Sequence, residues 1–380
     1  MSLFLTEVNM KSFTITKSSA VKSLKRKHPW VFSGALEGLQ GEPGELIRMV
    51  DAADEFLAIG YFNPGSSIRV RIFSFKDIEI DQDFWNQRIL SAFELRKNVL
   101  DFDKTNSFRL INGEGDYIPG LIVDVYGEHA VIDYHVKSLE RFSKEISVAL
   151  SSLGFKPVTY ESSPGKIEIL ENGMKFQASP GTGQKTGFFL DQRENRKRLE
   201  KYCKGKSVLN VFSYTGGFSI YALKAGAETV VNVDSSEFAI EQAKENYKLN
   251  GLEVSDSDFI VLDAFKCLEQ LIIKGQKFDI VILDPPAFVK KREAVKRALG
   301  GYRRINYLAM KLLSEGGILS TYSCSGHISN DQFRTVVWQA ANDAQAAVQI
   351  IENPRNQFDH PVDINCPESE YLKGLFLKIS

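Results

Sequence analysis

Residues 278–288 read FDIVILDPPAF. Phe278 to Leu283 is a short apolar run with the look of a buried strand, and Asp284 and two consecutive prolines end it. Each proline lacks an N–H and fixes φ, so no strand continues through Pro285 and Pro286. The residue before a proline is itself held extended. Asp284 is therefore presented rigidly at the C-terminal end of a strand, the end at which open α/β sheets bind their ligands.

Outward from this strand the same kind of unit recurs. VLNVF (208–212) precedes a helix from Gly217, and TVVNVD (229–234) precedes a helix over Glu237 to Leu249. FIVLD (259–263) leads to a helix through Leu271, and FDIVILD to one over roughly Arg303 to Leu313. GGILSTYS (316–323) leads to a helix from Asn330; VQIIE and a final YLKGLFLKI follow. Alternating strands and helices predict an α/β fold, a doubly wound, mostly parallel sheet.

The first unit carries a ligand signature. Its strand ends at Phe212, and a turn with Ser213, Thr215, Gly216 and Gly217 opens a helix. Such a turn lets backbone approach a ligand and aims helix N–H groups at it. A dinucleotide site requires G-x-G-x-x-G, which is absent here. The turn suits a ligand without a pyrophosphate, of which S-adenosylmethionine is one. Asp234, with Ser235 after it, ends the second strand, where an acid accepts hydrogen bonds from both ribose hydroxyls. Asp263-Ala264 ends the third, where an acid can meet the adenine amino group. A single strand-end Asp is more often a helix cap. Asp234, Asp263 and Asp284 on three successive strands of one sheet exceed what capping explains. An acid-Pro-Pro-aromatic stop is also the pattern of methyltransferases acting on nucleobases. A second loop, PGTGQKTGFFLDQRENR (180–196), fails the phosphate-loop spacing because Gln184 precedes Lys185 where glycine is needed.

The N-terminal half is organised differently. Residues 10–76 read as all-β: FTIT, GELIRMVD, FLAIGYF and SIRVRIFSF, separated by Gly, Pro, Asn and Asp. DFWNQRILSAFELRKNVL (83–100) has helical periodicity. Residues 107–176 mix strands with a helix over SLERFSKEISVALSSLG, and Asn172-Gly173 marks a hairpin turn.

Composition narrows the function. At 380 residues, 43% hydrophobic and 25% charged, the chain is an ordinary globular protein of two or three domains. No apolar run reaches membrane-spanning length, and the N-terminus lacks a signal-peptide pattern. The four cysteines, Cys203, Cys267, Cys324 and Cys366, form no CxxC, and histidine is scarce, so no metal site is expected. Scattered thiols fit a reducing cytoplasm. A net charge of −1 argues against nonspecific coating of nucleic acid. Two local basic runs nevertheless point to RNA. One is Lys22, Lys25, Arg26, Lys27 and His28 beside Trp30; the other includes Lys290, Lys291, Arg303 and Arg304. Either run alone reads as a solvated face.

With KSLKRKHPWVFSGA, GQKTGFFLDQRENR, VLNVFSYTGGFSIYAL, FDIVILDPPAF and GGILSTYSCSGHIS in place, the chain resembles the large-subunit ribosomal RNA methyltransferase I family over nearly its whole length. The resemblance implies an N-terminal PUA RNA-binding barrel (1–80), a central α/β domain (81–200) and a class I methyltransferase domain (201–380). It implies a cytoplasmic enzyme that uses S-adenosylmethionine to make 5-methylcytosine in 23S ribosomal RNA. It also places Phe188, Gln192 and Arg193 near the donor. The oligomeric state stays open, a homodimer included.

The fifth strand ends TYSCSG, so Cys324 falls on the same sheet edge as Asp284. A lone cysteine is usually a small buried hydrophobe, the reading given to the other three. A thiolate at Cys324 could instead add to carbon 6 of cytosine and activate carbon 5. Asp284 would hydrogen-bond the ring nitrogen and amino group whose charge changes on addition. Two alternatives remain. One is a 7-methylguanine enzyme, a related branch that shares the FFLDQR and DPP motifs but lacks the cysteine. The other is an RNA-binding protein with a silent methyltransferase fold.

Overall fold

The computed structural model describes residues 10–181, 187–288, 294–355 and 357–380. It divides into two compact units. One comprises residues up to 102, 107–164 and a returning segment, 358–369. The other comprises 103–106, 165–357 and 370–380.

The first unit begins with β1 (Lys11–Thr14), α1 (Ser18–Lys25), β2 (Trp30–Phe32), β3 (Leu46–Val50), β4 (Phe56–Phe62) and β5 (Ile68–Ser74). The strands form one sheet in the order β1-β3-β4-β5-β2. Alternation predicts only strands here, but SSAVKSLK is helical. Ala20, Val21 and Leu24 share a helical face, and all three pack on the core of Ile15, Met49 and Ile72. The unit continues with α2 (Gln82–Val99), β6 (Ser107–Asn112), β7 (Leu121–Tyr126), β8 (His129–Tyr134), α3 (Ser143–Ser152) and β9 (Lys156–Thr159). These strands make a second sheet, β6-β7-β8-β9, with Trp85, Phe108 and Leu121 in its core. Asp81 caps α2 by accepting the Phe84 N–H at 2.9 Å. The returning segment is tied in by a buried charge. Arg96 makes a two-pronged pair with Asp116 (2.5 and 2.7 Å) and donates to the Asp359 carbonyl at 2.8 Å.

The second unit opens with the hairpin β10 (Ile167–Glu171) and β11 (Met174–Ala178). Its turn residues Asn172 and Gly173 both have positive φ (49° and 82°), as an Asn-Gly two-residue loop requires. There follow α4 (Arg193–Cys203), β12 (Ser207–Val211), α5 (Gly217–Lys224), β13 (Thr229–Asp234), α6 (Glu237–Leu249), β14 (Phe259–Val261), α7 (Ala264–Ile273) and β15 (Phe278–Leu283). The unit closes with α8 (Val295–Leu312), β16 (Leu313–Ser323), α9 (Asn330–Ala344), β17 (Val348–Glu352) and β18 (Lys373–Ile379). The seven strands run β14-β13-β12-β15-β16-β18-β17. The first five are parallel, and β18 pairs antiparallel with both β16 and β17. One face of the sheet buries Leu209, Val281 and Leu283 against α7, α8 and α9; the other packs Val208, Ile280 and Ile282 against Leu199 and Phe218. Helix α8 starts earlier than expected, because Ala298 extends the apolar face of Tyr302, Ile305 and Ala309 by a further turn. Strand order reverses around β12 and β15, so the crevice of the doubly wound sheet opens at their C-terminal ends.

Candidate active site

The turn after β12 is bent sharply. Phe212 (φ 62°), Tyr214 (φ 46°) and Gly216 (φ 79°) are all left-handed. Two bulky side chains in that conformation are costly, and such residues cluster at ligand sites. Two groups hold the turn. The Asp234 carboxylate accepts the Tyr214 N–H at 2.9 Å, and Asn246 on α6 donates to the Thr215 carbonyl at 2.9 Å. Gly216 admits little else, since a Cβ there would stand 3.1 Å from that of Ala243. The turn forms one wall of a cleft lined by Phe188, Phe189, Arg196, Phe212, Ser213, Tyr214, Thr215, Gly217, Phe218 and Asp284. Ser213 Oγ is buried there without a hydrogen-bond partner among the described residues. An aromatic-lined cleft with an unsatisfied hydroxyl fits a ligand of mixed character such as S-adenosylmethionine.

The three strand-end acids have different surroundings. Asp234 uses its other oxygen to accept the Ser236 N–H at 2.9 Å, next to Ser235. Asp263 lies two residues beyond β14 and is the N-cap of α7, accepting from Lys266 N–H at 3.1 Å just before Ala264. Asp284 follows β15 directly. Gln192 Nε2 donates to it at 2.7 Å, and the Gln192 amide is itself oriented by Asn195, 2.6 Å from its oxygen. Burial, then the neighbouring Asp191 charge, raise Asp284 to about 7, against the opposing pull of Gln192 and Arg196.

The loop before α4 therefore belongs to the site. Residues 182–186 lie outside the described residues. Beyond them, Gly187 comes so close to Ser179 that a Cβ would stand 2.4 Å from its carbonyl carbon. Phe188 is buried between the Phe176 ring (4.8 Å) and the Arg196 guanidinium (4.7 Å). Arg193 is buried as well. The sequence reading missed Phe189, Tyr214, Arg196 and Phe218. The first two meet edge to face at 5.2 Å, and Arg196 pairs two-pronged with buried Glu171 at 2.7 and 2.8 Å.

Cys324 follows β16 and is partly open, whereas Cys203, Cys267 and Cys366 are buried. Its Sγ stands 3.9 Å from the Pro285 carbonyl, against the turn that carries Asp284. The flanking serines are pinned by one hydroxyl. Tyr302 on α8 bonds Ser323 Oγ at 3.0 Å and Ser325 Oγ at 3.2 Å. Burial pushes the Cys324 thiol up to about 12, and the charges of Asp284 and Asp191 add to that.

The expected RNA-binding residues are less uniform than their sequence suggests. Lys25 pairs with Asp51 (3.2 Å), Arg303 with Asp343 (2.6 Å) and Arg304 with Glu269 (2.6 Å). Lys22, Arg26 and Lys27 make no ion pair among the described residues. Lys290 and Lys291 lie outside the described residues. Trp30 is half-buried and donates its Nε1–H to Glu114 at 2.8 Å, leaving Phe32 as the exposed aromatic of β2. His28 meets Cys366 and Glu368 in a cluster whose ligand-type atoms lie within 4.8 Å. Its Nδ1 accepts the Trp30 N–H at 3.2 Å, which leaves the ring proton on Nε2, facing the Glu368 carboxylate at 3.7 Å. No described helix is long and apolar enough to cross a membrane.

Known proteins share this architecture. The family described as S-adenosylmethionine-dependent methyltransferase matches residues 160–369, and the PUA-like domain family matches residues 15–75. Ribosomal RNA large subunit methyltransferase I of Erwinia tasmaniensis is 40% identical over 383 residues, spanning 94% of this chain and 97% of that one. Its namesake in Escherichia coli K12 has the same identity and coverage. Among solved structures, a chain described as an S-adenosylmethionine-dependent methyltransferase from Streptococcus mutans shares the fold, with a TM-score of 0.85 at 24% identity, over 97% of this chain and 100% of that one. A structure described as a methyltransferase in complex with S-adenosylhomocysteine gives 0.87 at 24% identity with the same coverage.

Proposed function

The chain belongs to the ribosomal RNA large subunit methyltransferase I family of S-adenosylmethionine-dependent methyltransferases, and on that premise we propose that it methylates carbon 5 of a cytosine in 23S ribosomal RNA through a covalent Cys324 adduct. The observation that carries this reading is the Cys324 thiol lying against the Asp284-Pro285-Pro286 turn. A nitrogen target such as guanine N7 needs no thiol.

The donor would be held by the Phe212–Gly217 turn, Phe188, Asp234 with Ser235, Asp263 with Ala264, and Gln192. S-adenosylmethionine supplies an electrophilic methyl group. Carbon 5 of cytosine is too weak a nucleophile to accept it unaided. The Cys324 thiolate adds to carbon 6, and the displaced π electrons run toward ring nitrogen 3. Asp284, raised to about 7, carries a proton for a good part of the time at neutral pH and can give it to that nitrogen. Carbon 5 of the resulting enamine would take the methyl group; loss of the carbon 5 proton to a base would then restore the 5,6 double bond and expel the thiolate, and nitrogen 3 would return its proton to Asp284. The cation-rich start of the barrel, with Trp30 and Phe32, suits the substrate RNA. An enzyme acting on ribosomal RNA would work in the cytoplasm.

The test is trapping. RNA carrying 5-fluorocytosine at the target should leave wild-type enzyme covalently bound, because fluorine does not depart as a proton does. The adduct should vanish in Cys324→Ala and persist in Cys203→Ala, Cys267→Ala and Cys366→Ala. Cys324→Ala should keep S-adenosylmethionine affinity by calorimetry and lose methyl transfer. Methylation by Cys324→Ala at a wild-type rate would overturn the carbon 5 reading in favour of a nitrogen target.

A further inference from the structure

A lysine is buried beside the nucleophile. Lys373, the first residue of β18, is 3% exposed. The antiparallel register sets it directly across from Ser323, the residue before Cys324. Its ammonium donates to the Ser325 carbonyl at 2.7 Å and to the Tyr371 carbonyl at 2.6 Å. It thus clasps the backbone on the far side of the cysteine and makes no ion pair among the described residues. An ammonium has three donors, so one N–H remains after those two bonds. Burying such a group without a carboxylate partner is costly, and a cost of this kind is kept where chemistry needs the charge.

We infer that Lys373 is a positioning residue whose positive charge stabilises the Cys324 thiolate. The inference rests on the nucleophile reading above. The thiol otherwise sits in hostile surroundings. Asp284 after β15 and Asp191 before α4 both oppose its ionisation, as does burial; the Tyr302 hydroxyl on α8 contacts it only through the serines. Lys373 is the cation that opposes them, and Glu370 is the acid that acts on Lys373. The influence is mutual. Burial brings Lys373 down to about 8 even though the Cys324 thiolate and the Glu370 charge pull the other way. Within a low-dielectric site, a fixed ammonium acts where bulk solvent cannot.

The charge and the two hydrogen bonds can be separated by substitution. Lys373→Met removes both, Lys373→Gln keeps a donor for the carbonyls without charge, and Lys373→Arg keeps the charge. The readout is the rate of Cys324 alkylation by iodoacetamide at neutral pH in the full-length free enzyme, followed by mass spectrometry of the Cys324 peptide. Calorimetric binding of S-adenosylmethionine verifies that each variant is folded. Lys373→Met and Lys373→Gln should slow alkylation about tenfold at neutral pH, where wild-type Lys373 still carries its charge, which corresponds to about one unit in the thiol's affinity for its proton. Lys373→Arg should restore most of the rate. Methyl transfer at neutral pH should fall in the same variants and recover in Lys373→Arg. An alkylation rate at neutral pH unchanged in folded Lys373→Gln would overturn the role of Lys373 while leaving the nucleophile reading intact. Undiminished methylation by Cys324→Ala would instead remove the nucleophile reading itself, whatever the alkylation rates gave.

Discussion

Asp284 joins the site's chemistry to its stability. Its carboxyl is raised to about 7 in the folded protein and returns to an ordinary carboxylate value on unfolding. The folded state therefore binds more protons than the unfolded one between about pH 4 and about pH 7. Stability from this group is complete below that window and is lost as pH rises through it. Asp284→Asn has no proton to lose, so its stability relative to wild type should grow by about 1–2 kcal/mol across the window, the figure being discounted for partial exposure. Urea unfolding at both ends of the window checks it, and a constant difference would refute it. Methyl transfer should fall sharply in the same variant, since the amide cannot give up a proton to the ring nitrogen. The place of Asp284 at the end of a strand was legible from the two prolines after it. Its proton affinity was not, because that depends first on burial and then on Asp191, Gln192 and Arg196, which lie some ninety residues earlier in the chain.

At the level of elements, the site depends on how α4 is fastened to the β10–β11 hairpin. Arg196 on α4 is 3% exposed and Glu171 at the end of β10 is 0% exposed, with Tyr221 also bonding the carboxylate at 3.0 Å. Breaking a buried pair strands a charge, whereas replacing both partners need not. Arg196→Met should cost about 3–5 kcal/mol in urea unfolding, and the double variant Arg196→Met/Glu171→Met should recover much of that. A double-variant loss equal to the sum of the losses in Arg196→Met and Glu171→Met alone would mean the pair is not coupled. Resemblance alone sets Phe188, Gln192 and Arg193 of the FFLDQR segment near the donor. Its place follows from Gly187 against Ser179 and from Gln192 reaching Asp284, interactions that no local pattern encodes.

At the scale of the molecule, RNA affinity should come from few charges. Lys25 is already paired with Asp51 and Glu55, so its charge is largely neutralised. Arg26→Ala with Lys27→Ala should weaken binding and flatten the salt dependence of log K by about 0.7–0.9 for each phosphate that is no longer neutralised. Lys25→Ala should change that slope little. Filter binding over a salt series separates the two, and equal slopes for wild type and both variants would make the run a solvated face. Chain connectivity is equally indirect. Residues 358–369 leave the methyltransferase unit, join the first unit through Asp359 and through the Asn112 bond to the Pro361 carbonyl, and return at 370.

Local pattern sufficed for the α/β sheet, its strand ends and the sheet edge that carries Cys324 and Asp284. Strand-helix periodicity and proline stops act within a few residues, so they are readable without any knowledge of packing. Which charges matter was settled by packing alone. Lys373 is the clearest instance. Within YLKGLFLKI it is one lysine at the head of an apolar strand, and the strand itself was expected. Its partner becomes visible only when β18 pairs antiparallel with β16 and brings it opposite Ser323. The same holds for Lys25, Arg303 and Arg304, whose acids come from distant elements. Electrostatic interactions depend on distance and burial, and those quantities are fixed by packing between segments far apart in the chain.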